Sequence, residues 1–249
     1  MRVGARSHAW LERDALLWSP ALGLAGLVAG MSTRAQGSMA GSHHPLDEQA
    51  RNRSALARHL GFDGLVRAKQ IHGRDVAHVT AAVEPWPVAD ALWTDRTGVL
   101  IGIAAADCVP ILVADPRGPL GGAHAGWLGT SLGVAGALVE AMVAGGASRE
   151  RLVGAIGPSI GPCCYAIDDE RAELVRGRIG AAAIRRDGDR TILDLWSANA
   201  AQLRAAGVQR VETAGLCTLS GGADLWSYRG RGPDGVYGTQ VAFIGRRGP

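Results

Sequence analysis

Apolar residues along the chain fall into short strand-like runs separated by a few stretches of helical period. The first run, "LLWSPALGLAGLVAGM", is broken by Pro20 and several glycines, and it is too short to span a bilayer. Arg2, Arg6 and Arg13 precede it as in a signal peptide, but Glu12 and Asp14 interrupt that basic region, so the run predicts a pair of buried strands opening the domain. From 33 to about 50, "TRAQGSMAGSHHPLDEQ" has no apolar period and reads as a long loop whose tip can reach a site. "DEQARNRSALARHLG" then predicts a helix closed by Gly61, and "LVRAKQIHGRDVAHVT" two strands around a turn at His72 to Asp75.

"GVLIGIAAADCVPILVADP" gives two apolar stretches hinged near Asp107 to Pro110, because proline removes a ladder donor and marks a strand boundary; this puts Cys108 at a strand end. "GPLGGAHAG" is a glycine-rich strand ending near His124. In "TSLGVAGALVEAMVAGG", Leu132, Ala135, Leu138, Val139 and Met142 recur at helical spacing from a start near Thr130 to a Gly-Gly stop. "RLVGAIGPSIG" reads as strand and loop, "DDERAELVRGRIG" and "LDLWSANAAQLRAAG" as helices, "VQRVETAG" as extended, and "TQVAFIG" as a last strand. Strands and helices alternate without a strict βαβ rhythm or a repeat. The expected fold is α/β (α+β): one mixed β-sheet sandwich flanked by helices over 1–249, with residues 1–17 a possible peripheral extension.

Composition narrows the function. A chain of 249 residues with 47% hydrophobic content can bury a sizeable core, and no linker separates two domains. With 20% charged residues and a net charge of +3, no dense basic or acidic face marks nucleic acid or membrane as a partner, so a small molecule is expected. The cysteines at 108, 163, 164 and 217 do not suggest a disulfide framework, since adjacent Cys163 and Cys164 cannot readily bridge. A reduced, cytoplasmic protein is expected.

His72, Cys108 and His124 each occupy a strand end or turn beside small residues. Two imidazoles and a thiolate match the donors zinc accepts, and three protein ligands leave a fourth position open. The same residues also fit a buried thiol beside two hydrogen-bonded histidines, or a cysteine hydrolase in which Cys108 attacks and His124 is the base. Asp107 follows a different face from Cys108 and suits a supporting role or a turn better than ligation. His43 and His44 read as solvated loop residues, and "GRGPDG" reads as a turn. "PCCY" lacks the second spaced thiol of the common zinc deaminases. Seven scattered histidines are too few for coupled copper centres.

Taken in order, "STRAQG", "NRSALARHLG", "QIHG", "DALWTD", "ADCVPILVADP", "AHAGWLGT", "AIGPSIGPCCYAID", "LDLWSANAAQLRAAGV" and "CTLSGGADLWSYR" resemble stretches of the YfiH-like family, also called the laccase-domain or polyphenol oxidase family. The resemblance covers nearly the whole chain from about residue 20. It implies a zinc site on His72, Cys108 and His124, with copper the weaker choice. It also implies purine nucleoside phosphorylase activity on adenosine, inosine or methylthioadenosine with phosphate, and adenosine deaminase activity beside it. Arg34 and Arg229 match family positions and suit phosphate, whose oxygens fit a guanidinium fork. With Asp107, Cys108 and His124 they complete the candidate catalytic set.

Two departures stand out. Leu128 occupies the place of the arginine in the family's "HAGWRGT", and Tyr237 falls in "VYGTQ", where an arginine is common. The alternatives are a zinc- or cysteine-dependent hydrolase editing peptidoglycan precursors, or a polyphenol oxidase-type oxidoreductase. The expected assembly is a monomer or a small homo-oligomer.

Overall fold

The computed structural model describes residues 9–82 and 84–248. Arg2 and Arg6, and the start of the expected extension, lie outside the described residues. The chain opens with β1 (Leu11–Arg13), β2 (Leu16–Trp18), α1 (Pro20–Gly23), β3 (Val28–Ser32) and α2 (Leu46–His59). It continues through β4 (Leu65–Val66), β5 (Val76–His78), β6 (Ala91–Thr94), β7 (Leu100–Ala105), β8 (Val109–Ala114) and β9 (Leu120–Ala125). Next come α3 (Trp127–Leu132), α4 (Val134–Ala144), β10 (Val153–Ile156), β11 (Ala166–Ile167) and α5 (Asp169–Arg178). The chain closes with β12 (Ile184–Asp187), β13 (Arg190–Leu193), α6 (Leu195–Ala205), β14 (Arg210–Thr213) and β15 (Gln240–Gly245).

Two six-stranded sheets stack face to face, one in the order β1-β2-β3-β15-β7-β4 and the other β14-β10-β8-β9-β6-β5; β11, β13 and β12 form a small third sheet. Alternation along the strands assigns the faces. On β15, Ala242 and Ile244 point into the central core with Met31, Ile101 and Ile103, while Val241 and Phe243 point outward to meet Leu56 of α2 and Leu60, which caps it. On β8, Leu112 and Ala114 join the central core, while Ile111 and Val113 pack against Leu138 and Met142 of α4 and Leu203 of α6. The result is helix, sheet, sheet, helix: a mixed sandwich flanked by helices. The sheets approach so closely that a Cβ on Gly122 would stand 2.7 Å from Ile103 Cγ1, which requires glycine there.

Local chemistry explains the element ends. α2 carries Asp47 and Glu48 in its first turn and Arg58 and His59 in its last, complementing the helix dipole, and Gly61 at φ +83° stops it. Within "LLWSPALGLAGLVAGM" a single helical turn starts at Pro20, capped by Ser19, between two strands; Trp10, Leu16 and Leu17 are buried. The helix expected from Thr130 begins instead at Trp127 and is divided by Gly133 at φ +78° into α3 and α4. Pro110 lies one residue inside β8 rather than at its boundary, just past the end of the pairing with β10. Among the described residues, no helix is long and apolar enough to cross a membrane.

The strands around His72 and around Cys108 do not form hairpins. β4 belongs to the first sheet and β5 to the second, and so do β7 and β8 respectively. His72 and Cys108 therefore both lie where the chain crosses between sheets, at one end of the sandwich.

Candidate active site and metal centre

Donor atoms of His72, Cys108 and His124 lie within 4.8 Å of one another, so three segments distant in sequence meet at the crossing points. His124 closes the set from the end of β9, its ring centroid 4.8 Å from that of His72. His72 adopts φ 62°, in the left-handed region, which turns the chain back on itself. A Cβ on Gly126 would stand 2.7 Å from Cys108 Sγ and 3.4 Å from His72 Cδ2, so a glycine is what leaves the cluster open on that side.

Asp90, whose side chain is fully buried, organises the cluster. Its Oδ1 accepts from the His72 backbone N–H and lies 2.9 Å from His124 Nδ1, while Oδ2 accepts from the N–H groups of Gly73 (2.7 Å) and Ile71 (3.1 Å). Engaging Nδ1 fixes the ring and leaves Nε2 for the cluster, the carboxylate–histidine arrangement that orients metal ligands. Burial works against the charged form of Asp90, but the His124 ring and those N–H groups outweigh it and hold its carboxyl low.

Burial also opposes ionisation of Cys108, yet His124 and His72 bring its thiol down to about 6. Burial opposes protonation of His124 in turn, and Cys108 with Asp90 lifts it to about 9. Each of the two thus favours the charged form of the other. Two nitrogens and one sulfur, a fixed ring tautomer and an open side fit a borderline-soft divalent cation.

The cluster opens on a cavity of about 380 Å³, within the range for small-molecule sites. Tyr165, Tyr228 and Tyr237 line it, together with the guanidinium-bearing side chains of Arg171 and Arg229. Arg171 stands in the first turn of α5, where Asp168 caps the helix by accepting its backbone N–H at 2.7 Å, and its guanidinium lies over the Trp127 ring. Arg229 lies over Tyr165. Burial, and then the charge of Cys108, push the Tyr165 phenol up to about 12, so it remains a donor.

Asp107 lines the same cavity, but both its oxygens are engaged: Oδ1 accepts from Thr218 Oγ1 at 2.6 Å and Oδ2 from the Arg229 backbone N–H at 2.8 Å. It thereby pins the segment that carries Arg229. Arg34 is not part of this lining; it pairs with Asp224 at 3.5 Å and stacks over Trp226 at 4.3 Å. Leu128, half-buried on α3, is also absent from the lining, whereas Tyr237 faces the cavity and packs 4.8 Å from the His43 ring. Sequence reasoning missed Asp90, Tyr165 and Arg171.

A family model described as "Multi-copper polyphenol oxidoreductase laccase" matches residues 27–247. The chain belongs to this family. A purine nucleoside phosphorylase of Deinococcus radiodurans is 41% identical over 211 residues, spanning 80% of this chain and 81% of that protein. The crystal structure of YlmD from Geobacillus stearothermophilus superposes with a TM-score of 0.84 at 33% identity, covering 97% of this chain and all of that one. A protein named adenosine deaminase RL5, from an unknown prokaryotic organism, is 36% identical over 172 residues, 63% of this chain and 66% of that protein. The family resemblance and the sandwich flanked by helices are both borne out. The copper in the family's description meets a cluster here with only two imidazoles, not the many needed for coupled copper centres.

Proposed function

We propose that this chain is a purine nucleoside phosphorylase, with His72, Cys108 and His124 holding a zinc ion. The carrying observation is that two guanidinium side chains, Arg171 and Arg229, line the cavity onto which the His/Cys/His cluster opens. Planar guanidinium groups suit the oxygens of phosphate.

In this reading Arg171 and Arg229 hold the phosphate, and Asp107 acts through Thr218 and the Arg229 backbone to keep that arginine in place. Tyr228 and Tyr237, their rings 5.2 Å apart, offer aromatic faces to the purine. A phosphate oxygen attacks the anomeric carbon as the bond to the purine nitrogen breaks, giving free base and ribose 1-phosphate. Negative charge grows on the departing purine, and the Tyr165 hydroxyl, kept protonated, is a donor to it. Asp90 holds His72 and His124 in position. The zinc ion, when bound, supplies a Lewis acid.

A second reading, adenosine deamination in the same pocket, is favoured by the relative of that name. One experiment separates the two. Adenosine, inosine and methylthioadenosine are incubated with purified protein, with and without phosphate, and the bases and sugar products are resolved by chromatography. Phosphorolysis gives free base and a sugar phosphate only when phosphate is present. Inosine formed from adenosine without phosphate marks deamination, and intact nucleosides under every condition would overturn both readings.

A further inference from the structure

A second group of donors lies apart from the His/Cys/His cluster. The Sγ atoms of Cys163, Cys164 and Cys217 are within 4.8 Å of one another. Cys163 and Cys164 come from the "GPCCY" segment before β11, and Cys217 from the loop after β14. We propose that these three cysteines form a thiolate-only site for a thiophilic d10 cation, zinc or cuprous copper, which fastens the 161–165 segment to the 217–221 segment.

Four features make this more than proximity. Backbone bonds hold both segments: Cys164 and Tyr165 N–H groups donate to Gly161 O, Gly221 N–H donates to Cys217 O at 2.8 Å, and Ser159 bridges to Cys217 as a strand would. The sulfurs are thus presented by a preset frame. Gly161 N–H donates to Cys217 Sγ at 3.3 Å, the kind of outer contact that steadies a ligating thiolate. Ser220 Oγ lies 3.4 Å from Cys163 Sγ and 3.2 Å from Cys164 Sγ, so an oxygen is at hand to complete a tetrahedron. Cys217 is buried while Cys163 is exposed, which gives a cation a way in.

The geometry needs little adjustment. Zinc–sulfur bonds of ~2.3 Å place sulfurs roughly 3.8 Å apart around a tetrahedral ion, so the cluster need contract by no more than about an ångström. The exposed Cys163 side chain supplies that movement. Each ligating thiol releases its proton to solvent, and no oxidant or reductant is required. Soft thiolate ligands select zinc or cuprous copper over harder cations.

The two fastened segments serve the cavity: Tyr165 lines it, and Thr218 holds Asp107. The proposal does not depend on which reaction takes place there.

The test uses full-length protein, reduced, stripped of metal and kept anaerobic. It is titrated separately with Zn²⁺ and with Cu⁺ under a competing chelator, and tightly bound metal is counted by elemental analysis. Cys163→Ser, an exposed position that leaves packing intact, and Cys217→Ser are each expected to lose one equivalent relative to wild type with at least one of the two cations. Alkylation of Cys163 is expected to slow when that equivalent is bound. Equal metal content in wild type and both variants, with either cation, would overturn the proposal. So would a disulfide between Cys217 and Cys163 or Cys164 that persists in reductant and excludes the second equivalent.

Discussion

The two donor clusters use the same residue type in opposite settings. Cys108 lies between two imidazoles braced by Asp90, and its thiol falls to about 6. Cys164, which burial raises and which has only other thiols and a hydroxyl for company, rises to about 11. The first cluster is assembled from three distant segments where the chain crosses between sheets, and it faces a cavity. The second draws two ligands from one dipeptide, joins two loops, and among the described residues has no carboxylate hydrogen-bonded to its sulfurs. A cysteine's chemistry is set by what faces it, and the crossing points of a sandwich supply unlike neighbours that a single loop does not.

That contrast breaks most sharply at Cys108. Cys108→Ser should lose the metal of the first cluster and drop turnover by about a thousandfold or more, at or beyond the upper end of the effect of removing one electrostatic group from an active site. Metal content and initial rates on the folded variant measure it. If activity survives there and vanishes in Cys163→Ser instead, the assignment of the two clusters is reversed.

Asp90→Asn tests the brace behind the first cluster. Loss of the outer carboxylate should weaken metal binding by about 10- to 100-fold, read by competition with a chelator, while the thiolate-only cluster keeps its affinity. An unchanged affinity would reduce Asp90 to a turn-former for residues 71–73.

The arginines sharpen the distinction further, since Arg171 and Arg229 line the cavity onto which the first cluster opens. Arg171→Ala and Arg229→Ala should each raise the phosphate KM by roughly tenfold, corresponding to ~1.5 kcal/mol for a charge-assisted contact weakened by solvent at the rim. Lysine at either position should restore part of the loss, because its point charge lacks the fork. Arg34→Ala should leave the phosphate KM unchanged, since that side chain is held by Asp224 and Trp226.

The smallest effect is expected at Leu128. Its side chain does not line the cavity, so Leu128→Arg should shift the phosphate KM by less than about fivefold, the scale of an exposed charge pair. A larger tightening in steady-state kinetics would mean that a guanidinium from α3 reaches the anion after all.

Much of this was legible in the chain. Apolar runs located β7, β8, α4 and β15, and a glycine-rich stretch located β9; His72, Cys108 and His124 stand out beside small residues at a turn or strand end, but their reading as one metal set rested on the family resemblance. What escaped was contact that periodicity does not encode. Asp90 meets His124 across 34 positions, and nothing near "DALWTD" points to that pairing. Arg171 looked like one charge among many in "DDERAELVRGRIG", and only the fold turns the first turn of α5 toward the cavity. The β12–β13 hairpin was missed because "IRRDGDRTIL" is mostly polar and half exposed, although its two-residue Gly188–Asp189 loop is a hairpin signal. Arg34 shows the converse: a motif match locates a residue in the chain, while its neighbours Trp226 and Asp224 engage its charge.

His72, Cys108 and His124 are expected to ligate a metal at the cavity. Crystals of protein purified without chelator, measured on both sides of the zinc absorption edge, test it directly. An anomalous peak is expected among those three side chains, about 2.0–2.3 Å from their donor atoms, with Cys108 slow to alkylate in solution. No peak there, together with rapid alkylation of Cys108, would contradict it and make that thiolate a free nucleophile with His124 as its base.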